Sequence, residues 1–348
     1  MNAEQLTKIL NDHWTWLKNH ARGKCANLQE ANFSGVDLSS INLSDANLSA
    51  AHLESANLHQ AVLSGANFAY AVLMSADLSR ADLGWANFED ADLSGANMKA
   101  AYLNGANFSS ANLKGANLSH SYSWGINLSN AELLYANLQD ANFTDSDFES
   151  ADLHGAHLQN ANLSGVHFAT ANLLYTDLSN ANLRGADLQN ANLHGANLQN
   201  ADLRNANLNS ADLHGANLKG CNLYGADLRE TNLNAITFDK NTIGLTPLCP
   251  MDGSFIAYKK VADKIIVFKI PADAQRSSAT TLKCRSDKAV VLRIENLDGS
   301  ISTKRSVAGD FKYSSGAVIF IENFDVDRWN EDGVGITFYI SRETAAAD

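Results

Sequence analysis

The side chains best suited to chemistry are ten histidines, and their positions limit the chemistry available. None lies between 241 and 348, so that segment cannot supply a Ser–His or Cys–His nucleophile. His154, His194 and His214 are 40 and 20 residues apart, and a fold of period 20 would bring the last two within about 5 Å. Two such imidazoles could share a metal ion. With no third ligand close by, we expect a solvated ladder and predict no metal and no cofactor.

Other sequence features argue against a nucleotide-dependent enzyme, against a disulfide-bonded protein and against a membrane-spanning protein. There is no phosphate-binding loop or dinucleotide fingerprint, and the four cysteines are far apart with no CxxC motif. The segment "MNAEQLTKILNDHWTWLKNH" lacks the apolar core of a secretory signal, and no apolar run approaches the roughly 20 residues of a spanning helix. We predict a soluble, cytoplasmic, non-enzymatic protein that does not bind membranes.

A five-residue repeat, Ala-(Asn/Asp)-Leu-x-x, occupies most of the chain. Its frame runs from Ala26 to Lys240 without insertion, which makes 43 pentapeptides. The period excludes an amphipathic helix, because successive leucines would lie about 140° apart around the axis. It also excludes a flat strand, because an odd period sends alternate leucines to opposite faces. The pattern therefore predicts a coil in which Ala and Leu point inward and the other three positions point outward.

The size of one coil follows from phenylalanine and glycine. Five of the eight third-position phenylalanines are in register at multiples of 20 residues, namely Phe68, Phe88, Phe108, Phe148 and Phe168. Twelve of 13 fifth-position glycines share a spacing of ten, which indicates alternate corners where a turn needs positive φ. Four pentapeptides per coil is the interpretation. It predicts that Phe68, Phe88 and Phe108 stack in one interior column.

The repeated phrase resembles the signature of the pentapeptide-repeat family. The resemblance implies an all-β fold, a right-handed quadrilateral β-helix. At strand spacing of about 4.8 Å, 43 pentapeptides would make roughly 11 coils and a rod on the order of 50 Å long.

The phrase "SYSWG" interrupts the repeat, because Ser123 replaces the inward Leu. The frame is unbroken on both sides, so the coil must continue through it. The following Ile126 replaces an Ala and restores inward volume. We expect a compensated packing defect in the wall, with a local bulge as the alternative.

Two further segments flank the repeat. Residues 1–25 contain Leu6, Ile9, Leu10, Trp14 and Leu17 at helical spacing, which predicts a capping helix. Residues 241–348 contain β-type runs such as "KIIVFKI" and "AVVLRIENL", which predict a small, mainly β domain. A membrane-surface helix is the alternative for the first segment.

The C-terminal segment resembles a domain of unknown function found after pentapeptide repeats in bacterial and phage proteins. Its phrases "CPMDGSFIAYKK", "IPADAQRSS", "DRWNE" and "GITFYISRETA" carry the resemblance, and the opening "ILNDHWTWL" is also similar to such proteins. That family often has Cys and His where this chain has Asp332 and Thr337, so chemistry that needs a thiol or imidazole there is not expected. Arg276, Lys283, Arg285 and Arg328 are a candidate anion site, with ordinary surface charge as the alternative.

Acidity is confined to the repeat. Residues 26–240 carry 22 acidic and 8 basic side chains, whereas residues 241–348 carry 14 of each. A net charge of −14 on the repeat argues against direct nucleic-acid binding by the rod.

Outward aromatic and aliphatic side chains are the candidate partner-binding residues. Leu134 with Tyr135, and Leu174 with Tyr175, occupy identical outward positions 40 residues apart. On a rod of Asn, Ser and Asp such pairs suggest a contact patch, with scattered surface aromatics as the alternative.

A second outward group lies half a period away in the repeat. Tyr102, Tyr122 and Trp124, with Trp85, fall close together in adjacent coils. We include the first three as candidate contact residues, although scattered surface aromatics are the favoured interpretation of this group.

These features favour a protein-binding or scaffolding rod with an appended β domain. A protein partner is expected, and a second copy of the chain also fits the patch spacing. The family resemblance implies an alternative, an acidic DNA mimic that binds a type II topoisomerase such as gyrase. Enzyme activity in the C-terminal domain is a further alternative.

Overall fold

The computed structural model describes residues 3–245, 248–302, 306–308, 311–330 and 332–348. They form two compact units, one of residues 1–222 with 230–242, and one of 223–229 with 243–348. No helix within these described ranges is long and apolar enough to cross a membrane.

The first unit is a β-helix-like stack of pentapeptides preceded by a helix. Single parallel bridges join each second-position residue to the one 20 positions later, as in Asn27 with Asn47 and Asn47 with Asn67. Backbone hydrogen bonds connect successive coils at three places per pentapeptide: Leu28 N donates to Asn47 O at 2.7 Å, Glu30 N to Ser49 O at 3.0 Å, and Asn47 N to Ala26 O at 2.9 Å. The coils therefore satisfy one another's backbone groups as strands in a sheet do.

The first and third positions fill the interior, as predicted. Phe68, Phe88 and Phe108 are fully buried and stack with ring centroids 4.7 and 4.6 Å apart, which confirms the predicted column. Neighbouring aliphatic residues such as Leu73 and Leu93 are equally buried. Burial of a Leu or Phe side chain contributes about 1.5–3 kcal/mol, and the repetition of this column makes the core continuous along the stack.

Second-position amides form ladders along the outside. Asn47 Nδ2 donates to Asn27 Oδ1 at 3.0 Å, and Asn47 Oδ1 accepts from the backbone amide of Ser49 at 3.1 Å. The same pair of bonds recurs at Asn107. The side chains thus bond the local backbone at the corners, as the sequence indicates.

Positive φ is a property of every corner, which corrects the interpretation of the glycines. Each fifth position from Glu30 to Ala235 lies in the left-handed region, and non-glycine residues such as Ala50, with φ 53°, and Tyr135, with φ 56°, do so as well. Left-handed backbone costs a non-glycine residue about 1–2 kcal/mol, and the bonds between coils offset that cost. Turn conformation alone therefore does not explain where glycine occurs.

Ser123 lies in the wall and is fully buried, so the coil continues through it as predicted. Its amide donates to Asn142 O at 2.8 Å, as in other repeats. Its carbonyl accepts from the hydroxyl of Ser146 at 3.0 Å, and the buried hydroxyl of Ser121 lies 3.4 Å from its own. Ile126 is buried beside it. The missing Leu is compensated by apolar volume and by a small group of hydrogen-bonded serines, which the sequence analysis did not identify.

The N-terminal helix, α1 (Ala3–Lys18), confirms the predicted helical segment. Its most buried side chain is His13, whereas Trp14 is 60% exposed and lies under the Lys18 ammonium. The imidazole Nδ1 of His13 accepts from the amide of Ala26, the first residue of the repeat, at 3.1 Å. The helix was predicted to contact the repeat through its apolar face. In the structure it also provides a hydrogen-bond acceptor, His13, for a backbone amide of the first coil.

The second unit is a small β domain. A four-stranded antiparallel sheet, in the order β1-β2-β5-β8, consists of Phe255–Val261, Lys264–Ile270, Lys288–Asn296 and Val318–Phe320. Three short strands, β3-β4-β9, form another sheet of Arg276–Ser278, Cys284–Ser286 and Ile336–Phe338. Strands β6 (Ser306–Ala308) and β7 (Phe311–Tyr313) pair with each other, and helix α2 spans Arg342–Ala347. The predicted β-type character is confirmed, and the core packs around Phe268, Phe338 and Tyr313.

Candidate functional site

The two predicted Leu-Tyr pairs and the histidine column form one continuous feature. Along successive coils, each ring of one set of residues contacts the next. We call this set the tyrosine–histidine stripe; it consists of Tyr135, His154, Tyr175, His194 and His214. Tyrosine and histidine rings meet edge to face, with centroids 5.6, 6.1 and 5.8 Å apart, and the last two histidines stack at 4.9 Å. Edge-to-face packing is a favoured geometry for aromatic pairs, so the stripe is ordered by its own contacts.

Corner geometry explains why the tyrosines can lie flat along the stack. Tyr135 and Tyr175 are at the fifth position, and the next coil presents Gly155 and Gly195 in the same column. A Cβ built on Gly155 would lie 2.7 Å from Cε1 of Tyr135, and one on Gly195 would collide with Tyr175. Glycine here makes room for a ring, and the sequence signal was a Tyr followed 20 residues later by Gly.

The stripe is apolar and exposed along its centre. Tyr135 and Tyr175 are 62% and 59% exposed, while Leu134 and Leu174 are half-buried beside them. Neither leucine belongs to the interior column, which Leu133 and Leu173 occupy. Tyrosine is among the side chains that contribute most at protein interfaces, and the two leucines add apolar area beside the tyrosines.

The column of second-position residues beside the stripe is partly acidic, because Asn172 and Asn192 lie between its acidic residues. Glu132, Asp152 and Asp212 stand two positions before Leu134, His154 and His214 in the same pentapeptides. The Nζ of Lys114 lies 2.5 Å from Oε2 of Glu132. The hydrogen bond with Glu132, and then the charge of Glu132, raise the pKa of Lys114. An apolar centre with a partly acidic rim is complementary to a partner surface with basic groups.

The second predicted group, Tyr102, Tyr122 and Trp124, is also brought together. The two tyrosines stack with centroids 5.5 Å apart and an interplanar angle of 13°. The amide of Trp124 donates to Asn104 Oδ1 at 2.9 Å, and its ring is 60% exposed. Trp85 covers Gly105 as Tyr135 covers Gly155. A groove of about 470 Å³ beside Tyr102 is lined by Gln60, Ala61, Val62, Arg80, Asp82 and Asn104.

The four candidate anion-site residues of the C-terminal domain make other contacts. The guanidinium of Arg276 donates to Pro250 O at 2.8 Å, that of Arg285 to Asp327 O at 2.8 Å, and that of Arg328 to Leu245 O at 3.0 Å. Lys283 lies 3.7 Å from the Asp332 carboxylate. Because backbone carbonyls take up these guanidinium donors, the contacts do not support the anion site, which stays a prediction.

Asp332 and Thr337 occupy the two positions where the C-terminal family often has Cys and His, and the structure describes both. The Asp332 side chain is 94% exposed, and Thr337 Oγ1 accepts from Lys259 Nζ at 2.7 Å. Burial, and then the charge of Lys283, lower the pKa of Lys259. Within the described residues no group of three or more His, Cys, Asp or Glu is arranged to bind a metal ion.

Comparison with known proteins now places the chain in a family. A model of pentapeptide repeats matches eight segments between residues 41 and 234, most of which overlap, and a model for a family of unknown function (DUF5758) matches residues 245–345. No curated protein matches the chain.

Several solved structures are similar to it. HetL, a pentapeptide-repeat protein involved in heterocyst differentiation regulation in the cyanobacterium Nostoc, is 34% identical over 65% of this chain and 97% of its own, with a TM-score of 0.36. Rfr23 of the cyanobacterium Cyanothece is 43% identical over 32% of this chain and 61% of its own, with a TM-score of 0.18. QnrB1, a plasmid-mediated fluoroquinolone resistance protein, is 20% identical over 49% of this chain and 92% of its own, with a TM-score of 0.35. The chain belongs to the pentapeptide-repeat family, and its C-terminal part matches a family of unknown function.

Proposed function

We propose that the protein is a non-catalytic, cytoplasmic protein-binding rod that contacts its partner through the tyrosine–histidine stripe. The observation that carries this proposal is the run of ring contacts from Tyr135 to His214, which orders exposed aromatic groups on a polar surface. Ordered aromatic side chains lose little conformational entropy on binding, which favours their use at interfaces.

The rod that presents the stripe is, in this proposal, a right-handed quadrilateral β-helix of roughly 11 coils, with a capping helix in residues 1–25, repeats in 26–240 and the β domain in 241–348. Bridges at a spacing of 20 residues support four pentapeptides per coil. In such a rod Leu134 and Leu174 are two coils, or about 10 Å, apart. That separation suits one strand or helix of a partner laid along the stripe.

The partner we propose is a protein whose contact surface is apolar at its centre and basic at its rim. The apolar centre would cover the two leucines and two tyrosines, and the basic groups would face the carboxylates of Asp152 and Asp212, since Glu132 already pairs with Lys114. Basic rim groups chiefly raise the association rate, and salt weakens them. Binding should therefore slow as salt is raised, while the apolar anchors determine how long the complex lasts.

A double substitution tests the proposal. Changing Leu134 and Leu174 to Asp places charge at the centre of the stripe while leaving the interior column unchanged. Partner capture and self-association should then fall at least ten-fold, because interface anchors of this kind contribute on the order of 1–2 kcal/mol each. Met74, which occupies the same column and is 41% exposed, supplies the control. Met74→Asp should bind as wild type, and capture that survives the double substitution would rule out the stripe.

DNA mimicry towards a type II topoisomerase is the second candidate, because the net acidity of the chain resides in the rod. B-DNA carries one charge per ~1.7 Å, or roughly 30 over 50 Å, whereas the repeat carries −14. We therefore expect little inhibition of gyrase supercoiling by the purified protein at micromolar concentration. Salt-sensitive competition with DNA for gyrase would reverse the order of the two candidates.

A further inference from the structure

His194 and His214 are a matched pair of imidazoles at the end of the stripe. They occupy the same outward position in adjacent coils, with centroids 4.9 Å apart and ring planes within 17° of each other. His154 lies in the same column, but its neighbours there are Leu134 and Leu174. The column therefore contains two histidines whose rings stack on each other and a third, His154, whose ring contacts Tyr135 and Tyr175 but no histidine.

Hydrogen bonds hold the backbone at both histidines, and the ring nitrogens have no hydrogen-bond partner in the described part of the chain. The amide of His194 donates to Asn192 Oδ1 at 3.1 Å, and that of His214 to Asp212 Oδ1 at 3.0 Å. In the described part of the chain neither ring takes part in a hydrogen bond or ion pair, whereas the ring of His59 bonds Ser79 at 2.8 Å. Both rings are half-buried, so solvent reaches them.

The sequence predicts a solvated ladder here, because no third ligand lies close by. We propose instead that His194 and His214, without a third protein ligand, together bind one divalent transition-metal ion of the Ni²⁺, Cu²⁺ or Zn²⁺ class. Imidazole nitrogen is a preferred ligand of these ions. Metal–nitrogen bonds of about 2.0–2.1 Å require the two ligating nitrogens to approach within about 4 Å, so the rings tilt towards each other from the stacked arrangement. Water completes the coordination shell. The net charge of −14 on the repeat favours cations near its surface.

The metal site depends on the imidazole pair alone and stands whether or not the stripe binds a protein. Two coils separate His154 from His194, and this spacing of about 10 Å is too long for a shared ion. Affinity should therefore depend on both His194 and His214 and be indifferent to His154.

Calorimetric titration of the full chain with NiCl₂ at pH 7.5 tests this dependence. His194→Asn and His214→Asn should each weaken Ni²⁺ binding at least ten-fold, and His154→Asn should change it less than two-fold. Circular dichroism melts should match wild type, because all three side chains point outward. Equal losses in all three variants, or no loss in any, would overturn the proposal.

A gain of binding gives an independent check. Leu174→His fills the gap between His154 and His194 and should add bound Ni²⁺, because it creates new pairs at the same spacing. Electron paramagnetic resonance spectra of bound Cu²⁺ should show coupling to two imidazole nitrogens in wild type and to one in His214→Asn. An unchanged stoichiometry in Leu174→His together with one nitrogen in wild type would show that the pair does not chelate.

Discussion

The ring of Tyr135 lies against Gly155, the residue 20 positions later in the same column of corners, and Cε1 would be only 2.7 Å from a Cβ on that glycine. Gly115 occupies the same column two coils earlier and has the same φ of 64°, but a Cβ there would meet no atom within 4 Å. The two glycines therefore differ in one respect, the ring that covers Gly155.

This difference predicts that substitution by alanine lowers the free energy of unfolding by unequal amounts at the two glycines. Gly115→Ala should destabilise the rod by about 1–2 kcal/mol, since alanine is strained at positive φ. Gly155→Ala should cost about 0.5–1.5 kcal/mol more, because the exposed ring of Tyr135 has to leave its edge-to-face contact with His154. Urea unfolding of both variants measures the difference.

A double variant separates the ring from the backbone. In the background Tyr135→Ser, the extra cost of Gly155→Ala should disappear, leaving a value close to that of Gly115→Ala. If the two alanine variants are equally stable with Tyr135 present, the ring is not held against the glycine and the stripe is less ordered than its contacts indicate.

Buried hydroxyl groups at first positions provide the second prediction. Ser146 donates to Ser123 O at 3.0 Å, and Thr176 donates to Leu153 O at 3.0 Å; in both cases the acceptor is 23 residues earlier. Removing a buried donor costs about 0.5–1.5 kcal/mol, although Ala is the usual residue at this position. Ser146→Ala and Thr176→Val should each lower the free energy of unfolding by that amount.

The serine group makes Ser146 the more sensitive of the two. Ser123 also lacks the interior leucine of its neighbours, so its coil has less apolar burial to offset a lost bond. Chemical denaturation at one temperature compares the variants. A stabilised Ser146→Ala would mean that the hydroxyl is only tolerated and that water or a shifted backbone satisfies Ser123 O.

Much of the interior could be predicted from the sequence because period and volume determine it. The spacing of Phe68, Phe88 and Phe108 alone gave the 20-residue column that the structure contains. Contacts between outward side chains were less predictable. The sequence analysis treated the tyrosines and histidines as separate groups, although His154 shares its column with Leu134 and Leu174. Their rings nevertheless meet, because the fifth-position tyrosine lies over the next coil's glycine towards the adjacent column.

In the C-terminal domain, residue type alone did not predict what the arginine side chains contact. Arg276, Arg285 and Arg328 were grouped by charge, yet each donates to main-chain carbonyls of surrounding loops. In the sequence a guanidinium that stabilises a loop looks the same as one that binds a ligand.

The last prediction concerns His13 and pH. Burial lowers the pKa of His13 below its ordinary value, and the negative charge of Asp45 opposes this in part. The folded chain therefore favours the neutral ring, whose Nδ1 accepts from the amide of Ala26. Protonation would place a second donor against that amide. The stabilisation is complete above the unfolded pKa of about 6.5 and is lost as pH falls through the lower folded pKa.

Hydrogen exchange of the α1 amides between pH 7.5 and 5 should show this loss after correction for intrinsic exchange rates. The change removes the hydrogen bond between α1 and the first coil, so α1 protection should fall while the central coils stay protected. His13→Asn keeps an acceptor without a titrating ring and should abolish the pH dependence. His20→Asn, which removes an exposed histidine that stacks on Trp16, should retain it. Equal pH dependence in His13→Asn and wild type would assign the effect to another group.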